Sequence, residues 1–276
     1  MKIKFDNVSF SYVKNRNVLK KINLEFSKNE IVFIMGHTGS GKSTLIQHIN
    51  GLLLSNEGSV EIEVNDRCFS LSRKHKEKEI NELRKEVGMV FQFPEYQLFE
   101  TSVLRDVMFG PYNFYKDENK AKEMARISLN KIGIIESYYD KSPFDLSGGE
   151  KRKVAIAGVL ASNPSVLIMD EPTSSLDPVA TREMMDLIKS LNNEGKLIII
   201  ISHDVDLCYE YADRVIIMND GEVIRDSCVE EAFDDVNVLK KASLNEPFVC
   251  KVKRMLNIKD NSIRNIEKLK EVISHE

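Results

Sequence analysis

The run Gly36-His37-Thr38-Gly39-Ser40-Gly41-Lys42-Ser43 carries the first chemistry legible in this sequence. Gly36, four intervening residues, then Gly41-Lys42-Ser43 is the spacing of a phosphate cradle. Glycines let backbone N–H groups approach and point at the β-phosphate oxygens. A helix beginning near Gly41 aims its positive N-terminal end at the same charge. Lys42 adds a point charge for the β- and γ-oxygens, and Ser43 offers its hydroxyl to Mg²⁺. Mg-ATP is the expected ligand, with Gly36, His37, Thr38, Gly39, Ser40, Gly41, Lys42, Ser43 and Thr44 as its contact set.

Further chemistry lies downstream. Val166-Leu167-Ile168-Met169 is an apolar run that ends in Asp170-Glu171. Two carboxylates at the tip of a buried strand are costly unless they hold a cation or a proton. Asp170 is suited to order a Mg²⁺ shell through water. Glu171, one residue on, faces the other way and can polarise an attacking water. Without the cradle the pair reads equally well as surface acids starting a loop. Gln92 follows the apolar run Val87 to Phe91 and can reach Mg²⁺ and that water with a neutral amide. His203 ends another run, Leu197 to Ile201, where it can bond a γ-phosphate and sense its presence, although a lone histidine is more often structural. Asp177, before Pro178, is equally a helix N-cap.

A second Gly-rich loop, Leu146-Ser147-Gly148-Gly149-Glu150, opens a helix from Lys151. Ser147 can cap it, and the N–H groups of Gly148 and Gly149 can face a phosphate. The cradle already has its own helix and lysine, so a second anion-binding loop is surplus unless it serves another subunit. That points to a sandwich, with each ATP between one chain's cradle and its partner's Ser147 loop.

These loops need a scaffold. Ile3 to Tyr12 and Val18 to Phe26 read as antiparallel strands, the second with Leu19, Ile22, Leu24 and Phe26 inward. Ile31 to Met35, Val87 to Phe91, Val166 to Met169, Leu197 to Ile201 and Arg214 to Met218 read as buried core strands. Leu45, Ile46, Ile49, Leu52 and Leu53 recur at helical spacing, and Ser59 to Val64 reads as a strand after the turn at Asn56 to Gly58. Arg73 to Glu86 reads as a solvated, charge-rich helix. Pro94 to Asp145 reads as an inserted helical region, and Asn219-Asp220-Gly221 as a hairpin turn before Glu222 to Arg225. Beyond Ala232 a tail of two short amphipathic helices is expected, with Ile263, Ile266, Leu269 and Ile273 on one face of the last. Alternating strands and helices predict an α/β fold with a mostly parallel sheet.

The 276 residues allow one large α/β domain plus an appendage. Hydrophobic content of 42% and charged content of 30% suit a globular chain, and a net charge of -4 disfavours nucleic acid as partner. No apolar run nears the roughly 20 residues of a spanning helix. Met1 to Phe5 alternates like a strand and lacks a signal h-region. Four cysteines without paired spacing argue against a disulfide frame or zinc site and for a reducing cytosol.

Taken together and in this order, the cradle, Gln92, Leu146 to Glu150, Asp170-Glu171, Leu176-Asp177 and His203 resemble the ATP-binding cassette (ABC) ATPases from Ile3 to about Arg225. The resemblance implies the P-loop NTPase ABC fold, with an antiparallel β subdomain, a helical subdomain at about 93–150 within a nucleotide-binding domain of residues 1–231, and a C-terminal helical extension, 232–276, that could dimerise the ATPases. It implies catalytic roles for Glu171, His203 and Lys42. Metal contacts fall to Ser43, Gln92 and Asp170, and a partner's ATP to Ser147, Gly148 and Gly149. Tyr12 stands where the family has an adenine-stacking aromatic, or is an ordinary strand-end tyrosine. Glu150 departs from the commoner Gln. Little harm is expected, because Ser147 and the glycine backbone make the phosphate contacts.

A finer resemblance, to the energy-coupling factor (ECF) transporter ATPases, rests on Gly36 to Gly41, Phe91-Gln92-Phe93-Pro94-Glu95-Tyr96-Gln97-Leu98-Phe99 and Phe109-Gly110-Pro111. The Phe93 to Tyr96 run is more similar to the second of the two paralogues that pair in those systems. The implied function is an ATPase powering import of vitamins or metal ions from the cytoplasmic face of the cell membrane. The implied partners are a second ATPase (a heterodimer favoured, a homodimer left open), a transmembrane coupling protein at a groove by Gln92, and a substrate-binding membrane protein. Phe91 to Phe99 could instead pack inside the helical subdomain. A conventional ABC transporter ATPase is the alternative. A soluble ABC protein of ribosomes or DNA fits less well, since the chain has one cassette, no coiled coil and net acidity.

Overall fold

A computed structural model describes residues 1–14, 16–71 and 77–274. Five parallel strands, β3 (Ile31–Met35), β6 (Val87–Val90), β7 (Val166–Asp170), β8 (Leu197–Ile201) and β9 (Arg214–Asn219), form the core sheet. The antiparallel β10 (Glu222–Cys228) closes one edge, giving the order β10-β9-β3-β8-β7-β6. Pairing is regular, with Phe33 opposite Ile200 on one side and Val215 on the other.

The continuous apolar runs are explained by burial on both faces. Side chains alternate between two cores. Phe33, Met35, Leu167, Met169, Ile198 and Ile200 face one core, which includes Val154, Met185 and Ile188. Val32, Ile34, Ile168, Ile199 and Ile201 face the other, with Leu45, Ile46 and Ile49. The second core is shared with a four-stranded antiparallel sheet of β1 (Lys2–Phe10), β2 (Leu19–Ser27), β4 (Glu57–Val64) and β5 (Arg67–Leu71), ordered β2-β1-β4-β5. Leu19, Ile22, Leu24 and Phe26 are buried, as their alternation predicts.

Strand β5 is not among the elements read from the sequence. Asn65 and Asp66 both adopt positive φ, 47° and 60°, and turn the chain directly back from β4. The signal was a two-residue Asn-Asp turn, the kind a type I′ hairpin prefers. Three expectations need correction. The helix α1 (Lys42–Ile49) stops before Gly51, so Leu52 is exposed and Leu53 only half-buried. The charge-rich helix α2 occupies Glu77–Glu86, residues 73–76 lying outside the described part, and it is not wholly solvated, because Leu83 is fully buried. Among the described residues the tail has three helices beyond Ala232 rather than two.

The insertion is helical. It holds α3 (Val103–Tyr115), α4 (Glu118–Lys131) and short 3-10 turns at Pro94–Gln97, Glu136–Tyr138 and Pro143–Asp145. It leads into α5 (Gly148–Leu160), and the chain continues through α6 (Pro178–Asn193) and α7 (Val205–Tyr211). Ser102 and Asp117 cap α3 and α4 with their side chains. After α8 (Val229–Ala232), the tail comprises α9 (Val236–Lys241), α10 (Phe248–Met255) and α11 (Ile266–Ser274). Ile266, Leu269 and Ile273 keep the helical spacing of one face, but of these three only Leu269 is buried; Ile263 is buried as well. Ile263 lies ahead of α11, outside its helical register. The tail grips α7: the Phe248 N–H donates to Asp206 at 2.6 Å, and buried Lys253 Nζ donates to the Tyr209 hydroxyl at 3.2 Å.

One buried ion pair ties the insertion to the core. Arg152 on α5 donates to Glu95 at 3.2 and 3.4 Å and to the Ser174 carbonyl at 2.6 Å. Both side chains are largely shielded from solvent. Removing one partner of such a pair strands a charge, at a cost of about 3–5 kcal/mol. Glu95→Ala is expected to lower unfolding stability by about 3 kcal/mol in urea titration, with the double replacement Glu95→Leu and Arg152→Met milder because no charge is left unpaired.

Candidate nucleotide site

The C-terminal end of β3 runs into the cradle. Gly36 sits at φ 140°, and a Cβ there would lie 2.2 Å from the Met218 carbonyl oxygen, so only glycine fits between β3 and β9. Gly41, at φ 105°, turns the chain into α1. Lys42 Nζ folds back over the loop and donates to the carbonyls of Gly36 at 2.7 Å and His37 at 2.9 Å. Burial lowers its pKa, and the carboxylates Glu171 and Asp170 oppose that shift. The ammonium thus crowns an arch of backbone and is aimed at the space an anion would fill.

That space is a cleft of about 410 Å³. The cradle forms its floor through Thr38, Gly39 and Gly41 to Thr44, and Gln92, Asp170, Glu171 and His203 stand around it. Three separate strand ends deliver those residues: Gln92 just past β6, Asp170-Glu171 at the end of β7 and His203 just past β8. Parallel strands make this meeting unavoidable, since all their C-terminal ends lie on one side of the sheet.

The two acids diverge as expected. Ser43 Oγ donates to Asp170 Oδ2 at 3.3 Å. Burial raises the Asp170 carboxyl above the ordinary range, while the Ser43 hydroxyl draws it down and neighbouring Glu171 pushes it further up. A carboxylate so placed is under-compensated, and with Ser43 it forms a pair of hard oxygen donors of the kind Mg²⁺ accepts. Glu171 adopts φ 50°, a left-handed conformation unusual outside glycine. Its N–H donates to the Ile201 carbonyl at 2.9 Å, and its Oε1 lies 2.8 Å from His203 Nδ1. Glu171 is mostly buried and His203 is exposed.

Other candidates fall elsewhere. Tyr12 stands beside the cleft, with its ring edge-on to Phe10 at 4.9 Å and its hydroxyl 3.2 Å from Thr44 Oγ1. His37 turns outward toward Asn219, 3.2 Å away. The Ser40 side chain is fully buried under the loop and its N–H donates to the His37 carbonyl, so its part is to shape the loop. Asp177 caps α6, accepting from Val179 and Ala180 N–H groups at 2.8 and 3.0 Å. Ser147, Gly148 and Gly149 are not brought to the cleft at all. They lie exposed at the start of α5, in a capping box with Glu150. A Cβ on either glycine would meet nothing within 4 Å, so that surface is open.

Sequence reasoning missed one wall. The loop Ser243-Leu244-Asn245 of the tail borders a cavity of about 470 Å³ together with Gly36, His37, Thr38, Lys42, Glu171 and His203. No local pattern announces it, because only the docking of the tail on α7 carries it there. The aromatic stretch after Gln92 does not pack inside the insertion. Pro94 and Leu98 are buried, but Phe93, Tyr96 and Phe99 are exposed, Tyr96 at 83%. Phe99 and Phe109 stack edge to face at 4.8 Å on this surface. A neighbouring groove of about 320 Å³ is lined by Leu52, Phe91, Gly110 and Phe114.

Known proteins share this arrangement. The ABC transporter family description matches residues 19–174. An energy-coupling factor transporter ATP-binding protein, EcfA2, of Lactobacillus gasseri is 45% identical over 260 residues, 93% of this chain and 89% of its own. A protein of the same description from Streptococcus pyogenes serotype M28 is 41% identical, with both chains covered completely. Among solved structures, cbiO1 of Clostridium perfringens, described as part of the ABC transporter complex cbiONQ, superposes with a TM-score of 0.74 at 36% identity, covering 93% of this chain and 98% of that one. A dimeric bacterial ABC transporter cassette matches at TM-score 0.71 and 31% identity over 82% of this chain and 98% of its own. With its phosphate cradle, its strand-end carboxylates and most of its length matched, this chain belongs to the ABC transporter ATPases and is an ATP-binding, ATP-hydrolysing member of the energy-coupling factor type.

Proposed function

We propose that this chain powers an import transporter from the cytoplasmic face of the membrane, working as one of two ATPase subunits beneath a transmembrane coupling protein. Carrying this reading is the convergence of Lys42, Ser43, Gln92, Asp170, Glu171 and His203 on one cleft, while the Ser147 loop points away from it. Such a chain owns a nucleotide floor without a lid, and an exposed lid without a floor. Two chains facing each other complete both, consistent with the dimeric description of the related cassette. The chain's relatives are described as EcfA2, which favours a related but different ATPase as the facing subunit. In this reading residues 1–231 are the nucleotide-binding unit, 93–150 its moving helical part and 232–276 an extension.

Each residue then has a task. Lys42 leaves the Gly36 and His37 carbonyls to meet the β- and γ-oxygens, and Tyr12 supplies a face for the base. Ser43 and Asp170, with Gln92, would hold Mg²⁺, whose contribution is to neutralise charge on the phosphates. Glu171 takes the proton of the attacking water, and its left-handed backbone sets the carboxylate toward the cleft. His203, now bonded to Glu171, is free to turn to a γ-phosphate and so report its presence. Phosphoryl transfer asks little covalent chemistry of the protein, so positioning and charge carry the rate. The aromatic surface at Phe93, Tyr96 and Phe99, next to the groove by Phe91, suits a helix from a membrane subunit. The chain itself has no helix long and apolar enough to span a membrane among the described residues. Vitamins or metal ions are the proposed cargo class, carried by a separate substrate-binding membrane protein.

Glu171→Gln is expected to bind ATP with near-normal affinity and to lose about 10²- to 10⁴-fold in kcat, read from equilibrium nucleotide binding and steady-state phosphate release. Retention of wild-type turnover would refute the base assignment. Docking has a separate readout. Tyr96→Glu with Phe99→Glu is expected to abolish co-purification of the membrane subunits while leaving ATP affinity unchanged. Intact complexes bearing both substitutions would rule out that surface.

A further inference from the structure

Ser147, the residue read above as a donor to a γ-phosphate on the facing subunit, is already bonded. Its hydroxyl donates to Glu150 Oε2 at 2.7 Å, and its N–H donates to the same oxygen at 2.9 Å. The Glu150 N–H reaches back to Ser147 Oγ at 3.4 Å. The Glu150 carboxylate also raises the pKa of the neighbouring Tyr138 phenol, and Lys141 Nζ lies 3.8 Å over the Tyr138 ring. The Ser147 bonds hold the Glu150 carboxyl below its ordinary range, so it carries a full charge near neutral pH. A serine hydroxyl has one proton to give. While that proton is on Glu150, Ser147 offers a phosphate oxygen only lone pairs, with a carboxylate directly behind them.

We propose that Glu150 is a positioning residue that holds the Ser147 hydroxyl in reserve and sets a negative charge against the γ-phosphate, so that closing the ATP sandwich must first break the Ser147–Glu150 bond. The inference rests on the reading that Ser147 meets ATP held by a partner. It also revises the expectation that Glu for Gln is harmless at this position. A hydrogen bond to an ionised acceptor is roughly twice as strong as one to a neutral amide. An amide at 150 could still accept from the Ser147 N–H and keep the capping box, yet release the hydroxyl readily and add no charge. The carboxylate therefore raises the ATP concentration needed for closure and hastens reopening after hydrolysis.

The test is Glu150→Gln in the assembled transporter, with steady-state ATPase kinetics and thermal melting measured side by side. Half-saturating ATP is expected to fall about tenfold, from removal of one charge close to the phosphate. The kcat is expected not to rise and the melting temperature to stay at the wild-type value, a split that a merely structural cap would not produce. In a Glu171→Gln background, the same change is expected to lengthen the lifetime of the ATP-held subunit pair. Half-saturating ATP equal to or above wild type would overturn the proposal. Ser147→Arg separates the two layers. Loss of hydrolysis there keeps the sandwich reading whatever Glu150→Gln does, and wild-type hydrolysis removes that reading itself.

Discussion

Burial of the parallel strands on both faces is the constraint on which the rest depends. Five adjacent strands with nearly uninterrupted Val, Ile, Leu and Met have no polar side chains to spend along their length. Polar chemistry is therefore expelled to the strand ends. Parallel direction gathers those ends on one side, and three of them supply Gln92, Asp170-Glu171 and His203 to the cleft. The same packing leaves the Met218 carbonyl hard against Gly36, so the phosphate loop is moulded by its neighbour strand as well as by its own glycines. A charged side chain halfway along β7 would find no solvent and no partner; at the tip it can be answered by a cation.

The polar groups of the cleft bond to one another and to their own loops. Lys42 bonds its own loop, Asp170 takes the Ser43 hydroxyl, and Glu171 takes the His203 ring. Each contact gives a polar group of the cleft a partner within the protein, although burial still holds the Asp170 carboxyl above its ordinary range. The Ser147 loop follows the same logic, with Ser147 satisfied by Glu150. On the proposed reading, nucleotide binding exchanges these internal partners for phosphate oxygens, and the strength of the internal bonds sets how readily it happens.

Rigid connections link the cleft to surfaces far from it. Arg152 joins the start of α5 to Glu95, three residues after Gln92, and to the loop that follows Glu171. Any movement of Gln92 toward or away from the cleft is thus shared with the exposed aromatic surface and with the Ser147 loop. On the opposite side, the tail is fastened to α7 through Asp206 and Tyr209, directly after His203, and its Ser243 to Asn245 loop stands against the cradle. The tail is thereby built into the catalytic side of the molecule.

Local chemistry determined the cradle, the acid pair, the capped Ser147 loop and the core strands, because each is written in contiguous residues: glycines where φ must be positive, apolar runs where both faces are buried, a Ser-x-x-Glu at a helix start. The same residues carried the family resemblance. Tertiary structure alone decided matters that depend on residues distant in sequence. It turned Phe93, Tyr96 and Phe99 outward, split the tail's apolar residues between buried Ile263 and Leu269 and exposed Ile266 and Ile273, and brought Ser243 to Asn245 to the phosphate loop. It also set the Ser147 hydroxyl to donate to the Glu150 carboxylate. Periodicity reports which side of an element is apolar, whereas what that side meets is set by the packing of elements far apart along the chain.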